Sequence, residues 1–143
     1  MTPKHVSDQK ARAEAGVDHR TLSARFKDRS AYIGIIGMGY VGLPLMLACT
    51  TQRFRVLGFD VDEEKVRKLN LGQSPLKHVS DNRIAAVREV RSLEATHDLT
   101  RLSEVDVVVI CVPTPLGQQR EPDLSFVINT TQEIARYLHR GQL

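Results

Sequence analysis

The sequence predicts an α/β fold, a doubly wound parallel sheet in three αβα layers, and three observations carry that prediction. A short apolar strand at 31–36 runs straight into Gly37, Gly39 and Gly42. A second buried strand, 55–59, ends on an acid, Asp60. A third run, 105–112, is β-branched almost throughout and too continuous to leave one face wet. Strands that alternate with helix-period segments call for parallel pairing through crossovers.

Each element has a local reason. Residues 1–29 carry seven Lys/Arg against four Asp/Glu, and the polar, aromatic-free start has little apolar surface to offset the entropy of ordering. They read as a mobile basic leader that closes with a lead-in helix from Arg20 to Arg29, with Leu22 and Phe26 on one face. The domain proper is 30–143. Its first strand, Ala31 to Ile36, is followed by a helix over Val41 to Thr51 and a second strand over Arg55 to Phe59. Asp62 then caps a helix that has Glu63 and Glu64 in its first turn and stops at Gly72. The segment Gln73 to Asp81, interrupted by Pro75, is a connection, and Ser80 or Asp81 caps a further helix to about Arg91 with Ile84, Val87 and Arg88 on its mixed face. A short strand at Leu93 to Thr96 and a helical turn at Asp98 to Ser103 lead into Val105 to Val112, expected as a central strand. Last comes a helix from Leu124 to His139, in which Val127, Ile128, Thr131, Ile134, Ala135 and Leu138 share a core-facing stripe. After Gly141 the Rossmann-like alternation asks for another strand. The sequence therefore reads as part of a longer chain, and the open edge of the 105–112 strand is expected to self-associate.

The glycine spacing carries the chemistry. Gly37 permits a turn that a Cβ would obstruct, Gly39 removes the side chain where phosphate oxygens come close, and Gly42 lets the next helix pack tightly. That helix should begin near Tyr40 or Val41, so its unpaired N–H groups and positive dipole end face a diphosphate without any lysine. Asp60 lies eighteen residues past Gly42, where such folds place the acid that accepts hydrogen bonds from the adenosine ribose. A carboxylate there repels a 2′-phosphate, which favours NAD over NADP. The competing reading makes Asp60 a solvated strand end or a helix cap.

Composition excludes other classes. Apolar residues make up 41% of the chain and Trp is absent, and no apolar run approaches the ~20 residues that span a bilayer. The net charge of +3 lies wholly in the leader, since 30–143 hold thirteen charges of each sign. Without interleaved aromatics to stack on bases, it does not point to nucleic acid. The start lacks a secretory apolar core, and two cysteines in unrelated settings, Cys49 and Cys111, make no disulfide framework. A soluble cytoplasmic protein with no membrane partner is expected, and no metal site is assigned.

Ligands in such sheets lie beyond the carboxyl ends of the strands, and the segment after Val112 reads V-P-T-P-L-G-Q-Q-R-E-P-D-L-S. Pro113 and Pro115 stiffen the exit and leave Thr114 to present its hydroxyl and N–H toward the cleft. A plain proline-rich turn is the bland alternative. Taken together, G-M-G-Y-V-G-L-P-L, the stretch G-F-D-V-D-x-x-K-V ending at Lys65 and Val66, and C-V-P-T-P with R-E-P-D-L-S resemble the NAD-binding domain of the UDP-glucose/GDP-mannose dehydrogenase family. The R-E-P-D-L-S form is most similar to members that oxidise UDP-N-acetyl-hexosamines, and the match runs from about Arg20 to Leu143.

The resemblance implies an enzyme that oxidises the C6 alcohol of a UDP-sugar, UDP-N-acetylglucosamine foremost, to a carboxylate with two NAD in succession. It implies Val41 at the pyrophosphate beside Gly37, Gly39, Tyr40 and Gly42, Asp60 at the ribose, Lys65 on the adenosine side and Thr114 on the nicotinamide half. Arg120 is implied at a substrate phosphate or acetamido group. Lys65 as a solvated helix lysine and Arg120 as a structural loop residue remain open. The family's catalytic thiol and its helpers lie beyond residue 143, so no catalytic residue is assigned and these residues alone are expected to be inactive. The full-length protein is expected to be a homo-oligomer. Two alternatives stay open: a stand-alone NAD-binding module without catalysis, and a hydroxyacid-type dehydrogenase, which shares the glycine loop but leaves V-P-T-P with R-E-P-D-L-S unexplained.

Overall fold

Alternation along the first strand, β1 (Tyr32–Ile36), sorts the core into two faces. Ile33 and Ile35 enter one apolar cluster, and Tyr32 and Ile36 enter the other. The computed structural model describes residues 19–89, 92–117 and 120–143. Around β1 stand β2 (Arg55–Phe59), β3 (Leu93–Thr96) and β4 (Val107–Ile110), all parallel, in the order β3-β2-β1-β4. Tyr32 is level with Arg55, Ile33 with Val107, and Val56 with Leu93. The order reverses between β1 and β4, so their carboxyl ends open the crevice in which such sheets bind ligands.

Helices cover both faces. On one side lie α1 (His19–Lys27), α2 (Gly42–Thr51), α3 (Glu63–Asn70) and α4 (Asp81–Glu89), which bury Phe26, Leu43, Met46, Leu47, Val66, Leu69 and Ile84 against Ile33, Ile35, Val56 and Leu93. On the other lie a 3-10 helix (Leu99–Glu104) and α5 (Ser125–Ile134), with Leu102 and Ile134 set against Leu57 and Phe59. No helix among the described residues is long and apolar enough to cross a membrane.

The predicted lead-in helix forms as α1. Leu22 is buried, and the Phe26 ring meets Phe54 edge-on at 5.9 Å. Arg25 of α1 forms an ion pair with Asp106, whose other oxygen accepts the Tyr32 N–H at 2.7 Å. One carboxylate thus ties α1 to the starts of β1 and β4. The leader before residue 19 lies outside the described residues.

The predicted strands at 55–59 and 93–96 form at those bounds, and Asp62 caps α3 by accepting from the N–H groups of Glu64 and Lys65. Three predictions need correction. The 105–112 run narrows to β4, which lies at the edge of the four described strands and is half-buried after Val107. The strands with both neighbours in place are β1 and β2. The last helix covers Ser125–Ile134 rather than 124–139, and of its predicted stripe only Ile134 is buried, at 2% exposure, while Ile128 and Leu138 are exposed. Those side chains have helical spacing but no opposing layer among the described residues. Finally, the Asp81 carboxylate does not cap its own helix but accepts the Ser74 N–H at 2.7 Å, which folds the connection back on itself. The expected end of α4 near Arg91 lies outside the described residues.

Beyond α5 the chain returns to β4. Leu143 accepts from the Val108 N–H at 2.8 Å and donates to the Asp106 carbonyl at 3.1 Å, the geometry of parallel pairing. The Gln142 amide donates to the carbonyls of Leu102 and Val105, 2.7 Å each. Asp106→Ala should cost about 2 kcal/mol, because it strands the Arg25 guanidinium and the Tyr32 N–H together. A urea titration checks this as a lowered midpoint at unchanged slope.

Candidate functional site

The site is built from the turn that leaves β1. Gly37 sits at φ 96°, and a Cβ there would come within 2.5 Å of the Cys111 carbonyl on the neighbouring exit. Its N–H donates to the Phe59 carbonyl at 2.7 Å. A Cβ on Gly42 would lie 1.6 Å from the Gly37 carbonyl oxygen and 3.4 Å from the Cys111 Cβ, so its absence lets the start of α2 pack against the exits of β1 and β4, the close helix–strand approach expected from sequence. Gly39 differs from both, because a Cβ there would meet nothing within 4 Å. The cradle above Gly39 is open.

α2 begins one residue later than predicted, with Val41 at its cap position and no side chain capping it. Among the described residues the N–H groups of Gly39, Tyr40 and Val41 have no hydrogen-bond partner. They are the donors that a helix leaves unsatisfied at its start, and they border the open cradle. Met38 anchors the loop from below: its side chain is fully buried over Gly58, where an added Cβ would meet the Met38 sulfur at 2.6 Å.

Asp60 proves to be neither a solvated strand end nor the cap of α3. Its side chain is 6% exposed and lies 3.4 Å from the Lys65 ammonium. One oxygen accepts the Met38 N–H at 2.8 Å and the other the Asp62 N–H at 2.9 Å. The acid at the end of β2 therefore holds the glycine loop at the end of β1. The oxygen that accepts from Met38 also accepts from the Lys65 ammonium, so the one that accepts from Asp62 is the oxygen with a lone pair left for a further donor. Lys65 is oriented by Asp60 and is not simply a solvated helix lysine.

The second loop starts beside the first, since the Cys111 N–H donates to the Ile36 carbonyl at 2.7 Å. Thr114 is exposed just past this point. The loop closes through a bridge between Leu116 and Pro122, with the Gly117 N–H donating to the Glu121 carbonyl at 2.8 Å. Arg120 sits at its turn with φ 60°. No hydrogen bond or ion pair among the described residues joins Arg120 to the glycine loop. The structure thus gathers Gly37, Gly39, Tyr40, Val41, Gly42, Asp60 and Lys65, and sets Thr114 at the adjoining exit, with Arg120 at the turn of that second loop.

Sequence reasoning missed two contacts. The Met38–Asp60 bond carries no local signal, because a backbone donor has no residue type. The other is a stack of Tyr40 on His78, with centroids 5.1 Å apart and planes within 8°. His78 belongs to a connection for which the sequence suggests no role. Burial pushes the thiols of both Cys111 and Cys49 up, the opposite of an activated nucleophile.

Residues 31–143 match the UDP-glucose/GDP-mannose dehydrogenase family, NAD binding domain, and NAD is the cofactor of that domain. The chain is 33% identical over 111 residues to the UDP-N-acetyl-D-glucosamine 6-dehydrogenase of Salmonella typhi, covering 78% of this chain and 25% of that protein. The structure of a UDP-N-acetylmannosamine dehydrogenase from Pyrococcus horikoshii superposes with a TM-score of 0.71 at 31% identity, over 78% of this chain and 27% of that one. A ternary complex of GDP-mannose dehydrogenase from Pseudomonas aeruginosa gives 0.69 at 29%, over 73% and 24%. The chain spans about a quarter of the length of the curated relatives it matches.

Two outcomes follow from the geometry. Gly42→Ala should destabilise the fold by at least about 3 kcal/mol, because rigid backbone must yield, whereas Gly39→Ala should change stability by less than about 1 kcal/mol. Thermal melts of the two variants separate these cases. Cys49 and Cys111 should be alkylated by iodoacetamide at pH 8 more slowly than an unfolded control, since their raised pKa leaves less thiolate at that pH. Timed mass spectrometry reads the rates.

Proposed function

The chain belongs to the UDP-glucose/GDP-mannose dehydrogenase family, and from that premise we propose that it is the cofactor-holding part of a nucleotide-sugar 6-dehydrogenase. The substrate is a UDP-sugar, UDP-N-acetylglucosamine foremost, whose C6 alcohol is oxidised to a carboxylate in two NAD-dependent steps. The observation that carries this reading is the trio of amides at Gly39, Tyr40 and Val41 that have no partner among the described residues, at a point where a Cβ on Gly39 would meet nothing within 4 Å, in the loop that the buried Asp60 ties down through the Met38 N–H.

NAD, when bound, accepts hydride from the substrate carbon. The residues of this chain position it. The unpaired amides and the dipole of α2 hold the diphosphate, and the closeness of Gly37 and Gly42 fixes the curvature that aims those amides. Asp60 accepts an adenosine ribose hydroxyl on the free lone pair of the oxygen that faces Asp62, and Lys65 borders the adenosine side. Thr114, leaving the sheet next to Gly37, meets the nicotinamide half. Arg120, at the turn of the second loop, contacts a substrate phosphate or acetamido group. No residue here takes a catalytic role, and Cys111 does not supply the missing thiol. The same reading makes the full-length protein a cytoplasmic homo-oligomer without nucleic-acid or membrane partners.

Isothermal titration of the 143-residue chain tests the reading. It should bind NAD with NADP at least tenfold weaker, and Gly39→Val, folded by circular dichroism, should lose NAD binding because its side chain occupies the diphosphate volume. No heat of binding up to millimolar NAD, or full affinity in Gly39→Val, overturns it.

A further inference from the structure

The glycine loop has two sides, and only one is explained by the contacts to β2. On the inner side Met38 is held by its buried side chain and by Asp60. On the outer side Gly39 has no neighbour within 4 Å of where a Cβ would stand, and Tyr40 is 77% exposed. The Gly39 and Val41 carbonyls there accept from the N–H groups of Leu43 and Leu45 at 3.1 Å each, and the side-chain restraint among the described residues is the flat stack of Tyr40 on His78, two rings 5.1 Å apart and nearly parallel.

His78 is well placed to act as a fixed plate. The next residue, Val79, is buried in the main core cluster, and its N–H donates to the Leu76 carbonyl at 3.1 Å. Leu76 packs on the same cluster and donates its N–H to the Ser74 hydroxyl at 3.1 Å, while the Ser74 N–H is held by Asp81. The connection that carries His78 is therefore anchored at both ends and along its length. Tyr40, by contrast, belongs to a loop whose amides at 39–41 must keep one shape to meet a ligand.

We infer that His78 is a positioning residue for the dinucleotide: by stacking on Tyr40 it holds the outer side of the 37–42 loop in the shape that receives the diphosphate. Its ring face is what matters, because an offset aromatic pair gains from contact and quadrupole alignment rather than from net charge. The connection at 73–80 thereby becomes a part of the cofactor cleft. The inference rests on the NAD-binding reading above.

The test compares His78→Ala with His78→Phe in the 143-residue chain. NAD titration should show about three- to tenfold weaker binding for His78→Ala and affinity restored to within about twofold by His78→Phe. In the ligand-free chains, hydrogen exchange at the amides of residues 39–43 should quicken in His78→Ala and return to the wild-type rate in His78→Phe, with the strand amides of β1 and β2 unaffected. Unchanged affinity and exchange in His78→Ala would refute the role, and loss in both variants would show that the imidazole, not the stack, is required. If Gly39→Val abolishes binding while His78→Ala does not weaken it, only this inference falls. If the wild-type chain itself does not bind NAD, the functional reading falls, and the exchange rates still decide whether His78 shapes the loop.

Discussion

The carbonyl oxygen of Gly37 occupies the place that a side chain on Gly42 would need, and this exclusion organises the region around it. It lets the chain leave β1, turn within five residues and enter α2 with its first amides unsatisfied. Those amides then stand at the crevice between β1 and β4, where the strand order reverses. Any larger residue at 42 would open the turn and swing the donors away. The constraint is steric and local, yet it determines which backbone groups meet a ligand.

Electrostatics completes what sterics begins. Asp60 reaches back from β2 to the Met38 N–H, so two adjacent strands share control of one loop. Lys65 sits 3.4 Å from the same carboxylate with its side chain partly exposed. A nearly buried acid that is paired and hydrogen-bonded avoids the penalty that an isolated charge would incur. The arrangement is compatible with a site that recognises hydroxyl groups by acceptors and phosphates by main-chain donors.

Much of this was legible from residue types because the signals are short-range. The glycine spacing and the Asp62 cap each report on a few neighbouring residues, and the turn after β1 and the start of α3 stand where those signals put them, whereas the β-branched run at 105–112 forms a strand only over Val107–Ile110 and at the edge of the described sheet. What was not legible depends on partners distant in sequence. Asp106 shows nothing locally of its tie to Arg25 and Tyr32. The apolar stripe of α5 has the period of a core helix, but whether a layer opposes it is a property of the rest of the sheet. The Tyr40–His78 stack joins two segments that periodicity treats as unrelated.

The hold of Asp60 on the Met38 amide also limits what can replace it. Admitting the extra phosphate of NADP ordinarily begins by neutralising the acid at this position, but here that exchange also removes an acceptor from the Met38 amide. Asparagine, which keeps one carbonyl oxygen, would spare that bond, whereas alanine or glycine would release the loop. A change at residue 60 therefore requires a compensating acceptor nearby, and the acid is held in place by architecture as much as by charge.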